Sequence, residues 1–111
     1  MLIFTEAPGF DLQDNEKEIF VVEPHPFCIL VPISGLPAPT VSWVRMRDSY
    51  CFNDDQDRIK TEQRSTYAKM SVSQSVRKLD TGTYKLLLRN DLGSAECVFT
   101  VIVCGESSVF L

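Results

Sequence analysis

The sequence holds a single histidine, His25, and it is set between Pro24 and Pro26. One imidazole with no second ligand at a workable spacing does not make a zinc site, and no Ser-His-Asp set can be assembled around it. We therefore read His25 as a turn residue exposed to water. Glycine is scarce, five in 111 residues, and none forms a Gly-rich phosphate loop. Positive charge is in deficit: 11 Lys and Arg against 15 Asp and Glu give a net charge of -4. With no basic-aromatic strip either, nucleic acid and anionic membranes are poor main partners, since both need a basic face. No apolar run is long enough to cross a bilayer. The opening Met1-Leu2-Ile3-Phe4 has a three-residue apolar run with no positive charge before it and does not read as a signal peptide. No Asn-x-Ser/Thr acceptor occurs. The one acidic cluster, Asp54-Asp55-Gln56-Asp57, lacks the glycine and terminal Glu of a calcium loop. No catalytic residue, cofactor site or metal site follows from these residues.

The four cysteines, Cys28, Cys51, Cys97 and Cys104, include no Cys-x-x-Cys and have no metal-ligand spacing. We expect reduced thiols, the usual state in a reducing compartment.

What the chain does have is turn signals at short, regular intervals, with runs rich in Val, Ile, Thr, Phe and Tyr between them. That is the pattern of a β-sandwich, and 111 residues suffice for one core and no more. Gly9 to Leu12 reads as a short edge segment and Gln13 to Lys17 as an exposed polar stretch. Glu18 to Val22 reads as a strand, stopped by Pro24 and Pro26. A strand from Phe27 turns Phe27, Ile29, Val31 and Ile33 to one face, and Gly35-Leu36-Pro37-Ala38-Pro39 is the turn after it. Thr40 to Arg45 follows, with Val41 and Trp43 inward.

Tyr50 to Phe52 is a short strand, Asn53 to Asp57 an exposed acidic turn, and Arg58 to Gln63 an edge strand with weak alternation. Tyr67 to Val72 points Ala68, Met70 and Val72 inward, and Val76 to Leu79 forms a helical turn. Thr83 to Asn90 buries Tyr84, Leu86 and Leu88. Asn90-Asp91-Leu92-Gly93 is a hairpin turn with Asn, Asp and Gly to supply positive φ. Ala95 to Val103 alternates Ala95, Cys97, Phe99, Val101 and Val103 inward. We divide the chain into an extension over 1-7, a domain over 8-103 and a tail over 104-111.

Asp80-Thr81-Gly82-Thr83-Tyr84 is an Asp-x-Gly-x-Tyr run before a strand, the signature of a tyrosine corner, and Gly35 to Trp43 reads Gly-x-Pro-x-Pro-x-Val-x-Trp. On these motifs the chain resembles the intermediate-set (I-set) immunoglobulin domains, all-β two-sheet Greek-key sandwiches. The resemblance implies structural roles for Trp43, Asp80, Gly82 and Tyr84. It also implies a pair between Asp80 and an Arg at the start of the fourth major strand, where Arg58 stands. The two places of the usual inter-sheet disulfide hold Val31 and Leu86. Counted back from Asp80, the family's inward positions fall on Ser71 and Ser73, so one extra residue near Ser73-Gln74-Ser75 is taken up by a bulge or longer turn.

Val31-Pro32-Ile33-Ser34-Gly35-x-Pro-x-Pro before Trp43, the corner motif and the aliphatic residues in place of the bridge together make the chain look most like the intracellular immunoglobulin domains of titin, obscurin, myomesin and the myosin-binding protein C group. What this implies is a cytoplasmic, monomeric, non-catalytic module of a multidomain sarcomeric or cytoskeletal protein, acting as mechanical spacer and docking surface. Its partners would be filament proteins and neighbouring immunoglobulin or fibronectin-type domains. The alternative class is an extracellular adhesion or receptor domain, which an unusual disulfide at Cys28 or Cys51 would mark.

Overall fold

Period-two alternation gives each strand a core face and a solvent face, and two sheets close over the core faces. The computed structural model describes residues 5–52 and 58–105. Among these lie nine strands: β1 (Glu6–Phe10), β2 (Glu18–Val22), β3 (Phe27–Leu36), β4 (Thr40–Arg45), β5 (Tyr50–Cys51), β6 (Ile59–Gln63), β7 (Tyr67–Val72), β8 (Gly82–Asn90) and β9 (Gly93–Cys104). A 3-10 turn, Asp14–Lys17, precedes β2, and a helical turn, α1 (Arg77–Asp80), precedes β8. The expected acidic turn with Asp54, Asp55 and Asp57 lies outside the described residues, as do Leu2 to Phe4 and the tail beyond Gly105.

One sheet has the order β1-β3-β7-β6 and is antiparallel; the other has the order β2-β9-β8-β4-β5. In the second sheet only β2 runs parallel to its neighbour, β9. The inward residues read from alternation meet between the sheets. Val31, Ala68, Met70, Leu86 and Val101 are fully buried, and Trp43, Tyr84, Leu88, Cys97 and Phe99 nearly so. Phe27, Val41 and Ala95 pack at the margin of that cluster. Where two buried cysteines would otherwise meet, Val31 comes from one sheet and Leu86 from the other. Trp43 lies directly across the ladder from Leu86, with its ring 6.1 Å from that of Phe99. None of the four cysteines is in a disulfide; Cys28 is exposed and Cys97 buried.

Three local readings change. The first strand runs Glu6–Phe10 rather than Gly9 to Leu12, because its ladder with β3 shifts register between Glu6 and Gly9. Pro8 falls inside that irregularity, where its missing N–H breaks no regular pairing. The β8–β9 hairpin has positive φ at Gly93 alone, not at Asn90 or Asp91. The Asn90 side-chain oxygen instead accepts the Leu92 N–H at 2.9 Å, which closes the turn with ordinary backbone angles. The helical turn begins one residue late, at Arg77, and takes in Asp80. The β6–β7 ladder is regular to Val72, so β7 itself holds no bulge up to that point.

Gly35 combines φ 142° with close packing: a Cβ there would meet Pro39 Cγ at 2.8 Å. Glycine is thus required where β3 hands over to β4. The turn from β4 to β5 is held by Asp48, which accepts Arg45 Nε at 3.0 Å and Nη2 at 2.7 Å. Those hydrogen bonds hold the Asp48 carboxyl down at about 2. The same guanidinium lies over the rings of Tyr50 and Phe52.

Candidate functional site

Two constellations stand out in this sandwich. The first is the corner at the end of α1. Tyr84, buried on β8, donates its hydroxyl proton to the Asp80 carbonyl oxygen at 2.7 Å. The Asp80 carboxylate, 1% exposed, accepts Arg58 Nη1 at 3.0 Å and Nη2 at 3.1 Å, and the Val76 N–H at 2.6 Å. Arg58 Nη1 also donates to the Gln74 carbonyl at 2.7 Å. Since Arg58 leads into β6 and Asp80 leads into β8, the pair ties one sheet to the other. Its hydrogen bonds with Asp80 raise the Arg58 pKa. Gly82, at φ 147° with open space around its missing Cβ, lets the chain turn from α1 into β8.

Burial, then the Asp80 charge, push the Tyr84 hydroxyl up from near 10 to about 12. A raised phenol pKa favours the folded state below pH 10 and loses that contribution as pH climbs from 10 to 12. Tyr84→Phe is therefore expected to lower stability at neutral pH by about 1 kcal/mol, the loss of one buried hydrogen bond. It should also flatten the alkaline fall in stability. Urea unfolding at a series of pH values measures both; an unchanged alkaline slope would show that Tyr84 does not ionise in this way.

The second constellation is the parallel ladder of β2 on β9, with Glu18 beside Thr100 and each following residue in step to Val22 beside Cys104. It continues through the Glu23 N–H, which donates to the Cys104 carbonyl at 2.8 Å. Period two then turns the amides of Ile19 and Val21 toward β9.

Sequence reasoning missed the reach of Asn90. Its amide nitrogen donates to the Glu6 carbonyl at 2.8 Å and the Pro37 carbonyl at 3.1 Å, joining β1, the turn before β4 and the β8–β9 hairpin. A turn signal was all the sequence offered there. On the outer face of the five-stranded sheet, Phe20 lies opposite Ile102, and Val98 is in one row with Lys85 and Val44. Phe20 is 67% exposed, whereas Val44 and Ile102 are half-buried. His25 is exposed, its ring Nδ1 2.9 Å from the Val22 carbonyl. Among the described residues no group of His, Cys, Asp and Glu could hold a metal, and no helix is long and apolar enough to cross a membrane.

Residues 13–103 match the family model of the immunoglobulin I-set domain. The chain belongs to the immunoglobulin I-set family. Domains of this type are generally not catalysts. Among solved structures, the titin immunoglobulin tandem A164-A165 superposes with a TM-score of 0.81 at 19% identity, over 91% of this chain and 51% of that one. This I-set domain thus spans about half of that tandem. A chimeric titin Z1Z2, functionalized with an exogenous KLER peptide from decorin, gives a TM-score of 0.79 at 24% identity, over 94% of this chain and 100% of that one. The titin M10–obscurin-like 1 immunoglobulin complex gives a TM-score of 0.78 at 19% identity, over 92% and 97%. These likenesses establish the fold.

Proposed function

We propose that this I-set domain is a non-catalytic structural and protein-interaction module of a multidomain cytoskeletal or sarcomeric protein in the cytoplasm. It acts as mechanical spacer and docking surface, joined to neighbouring immunoglobulin or fibronectin-type domains. The observation that carries the reading is the parallel ladder of β2 on β9. Tension entering ahead of β2 and leaving after β9 pulls two parallel strands in opposite directions along their axes. Every hydrogen bond between them is then loaded at once instead of one after another. Cysteines outside any disulfide support a reducing setting and set no internal limit on extension. The similar structure of a titin M10–obscurin-like 1 immunoglobulin complex supports protein recognition as the second task.

Single-molecule stretching of a tandem polyprotein tests the spacer role. The expected record is a cooperative rupture followed by release of nearly the full contour, about 3.3 to 3.6 Å per residue. Val21→Pro, which removes an amide facing β9, should lower the rupture force markedly. Extension that stops well short of the contour, or a force unmoved by Val21→Pro, would reject the reading.

A further inference from the structure

The outer face of the four-stranded sheet carries a groove of about 420 Å³ at its β6 side. Its apolar lining comes from β3 and the residue before it: Pro26, the exposed Cys28, and Phe27, which stands at the strand's end, half-buried and packed against the margin of the core. Ser71 of β7 pairs with Cys28 on one side and Lys60 of β6 on the other, so these three form one outward row. In the next row, Lys69 sits between Leu30, which is 50% exposed, and Glu62.

The charge around this groove runs against the acidic balance of the chain, because its ionisable lining, Arg58, Lys60 and Lys69, is entirely basic apart from the thiol. Arg58 is neutralised by Asp80. Glu62 stands opposite Lys69 but is engaged elsewhere, with one carboxylate oxygen 3.1 Å from Arg64 Nη2 and the other accepting the Tyr67 hydroxyl at 3.1 Å. Neither Lys60 nor Lys69 has an ion-pair partner among the described residues. Among the described residues, two ammonium groups that form no ion pair thus flank an apolar lining that is open to solvent.

We propose that this groove docks an acidic segment of a partner protein, one that places an apolar side chain on Phe27 and Pro26 and carboxylates on Lys60 and Lys69. A purely apolar segment would leave the two charges uncompensated, and a purely acidic one would leave the apolar lining bare. The inference deepens the docking half of the function proposed above. The force experiment addresses the spacer half alone, so failure of either is seen separately.

The test is fluorescence anisotropy with a labelled Glu-Glu-Leu-Phe-Glu-Glu peptide, set against the same peptide with every Glu replaced by Gln. The acidic peptide is expected to bind with a Kd below about 1 mM at low salt and to weaken as salt rises. Lys60→Gln and Lys69→Gln should each weaken it about two- to fivefold, as exposed ion pairs do. The matched change Lys17→Gln with Lys85→Gln, away from the groove, should not. Bound peptide should also slow alkylation of Cys28 by iodoacetamide, mapped by mass spectrometry, with no effect at Cys104. Equal binding of the Gln peptide, equal loss in the control variant, or no binding of the acidic peptide overturns the proposal. Self-association that Lys60→Gln abolishes would overturn it in favour of a second copy of this chain.

Discussion

Trp43→Ala is expected to move the urea unfolding midpoint sharply down and to threaten folding. Removing a buried aromatic of this size costs about 3 to 5 kcal/mol, against a total of about 5 to 15 kcal/mol for a domain of this class. Here the ring is 1% exposed and contacts a core with no covalent bridge, so no crosslink limits the entropy of the unfolded chain. Trp43→Phe should recover most of the loss. The indole Nε1 has no acceptor among the described residues, so exchange for Phe forfeits area but no hydrogen bond. Because Trp43 is the only tryptophan, far-UV circular dichroism during urea unfolding is the measurement to use. A Trp43→Ala midpoint within error of wild type would mean that the sandwich closes without its central ring.

The second large effect is expected at the inter-sheet ion pair. Arg58→Ala leaves the Asp80 carboxylate inside the protein with the Val76 amide as its remaining hydrogen-bond donor among the described residues. Breaking a buried pair from one side costs about 3 to 5 kcal/mol. Asp80→Ala should cost less, because Arg58 keeps 27% of its side chain in water and its bond to the Gln74 carbonyl. The double variant should be less destabilised than the sum of the singles, with a coupling of about 1 to 3 kcal/mol. Additive losses in that cycle would mean that the two side chains contribute independently despite their contact.

The alternating strands were legible because each buries one face, and burial leaves a period of two in the residues. Phe27 to Ile33, Tyr67 to Val72 and Ala95 to Val103 all fell in register on that basis. Motif spacing gave the corner, since Asp80, Gly82 and Tyr84 act within five residues of one another. What escaped was set by contacts distant in sequence. Pro8 lies inside β1 only because β3 offers a ladder that tolerates a shift there. The turn after β4 is fixed by Arg45 reaching Asp48 and two aromatic rings, none of which leaves a periodic trace. The basic groove was hidden for a similar reason. Lys60 and Lys69 are nine positions apart and look like ordinary solvated charges until the β6–β7 register brings their rows together and Glu62 is seen to be occupied.

Under the proposed spacer role, the one parallel pairing among the described residues would make the domain mechanically anisotropic. Pulled end to end, it resists through the whole β2–β9 ladder at once. Pulled sideways at β6, an edge strand antiparallel to β7, it can open like a zipper, one residue pair at a time. A partner seated along β6 and pulled across the sheet would load the β6–β7 pairs one after another, so the direction of pull, as well as the strength of docking, would set how long such an attachment lasts.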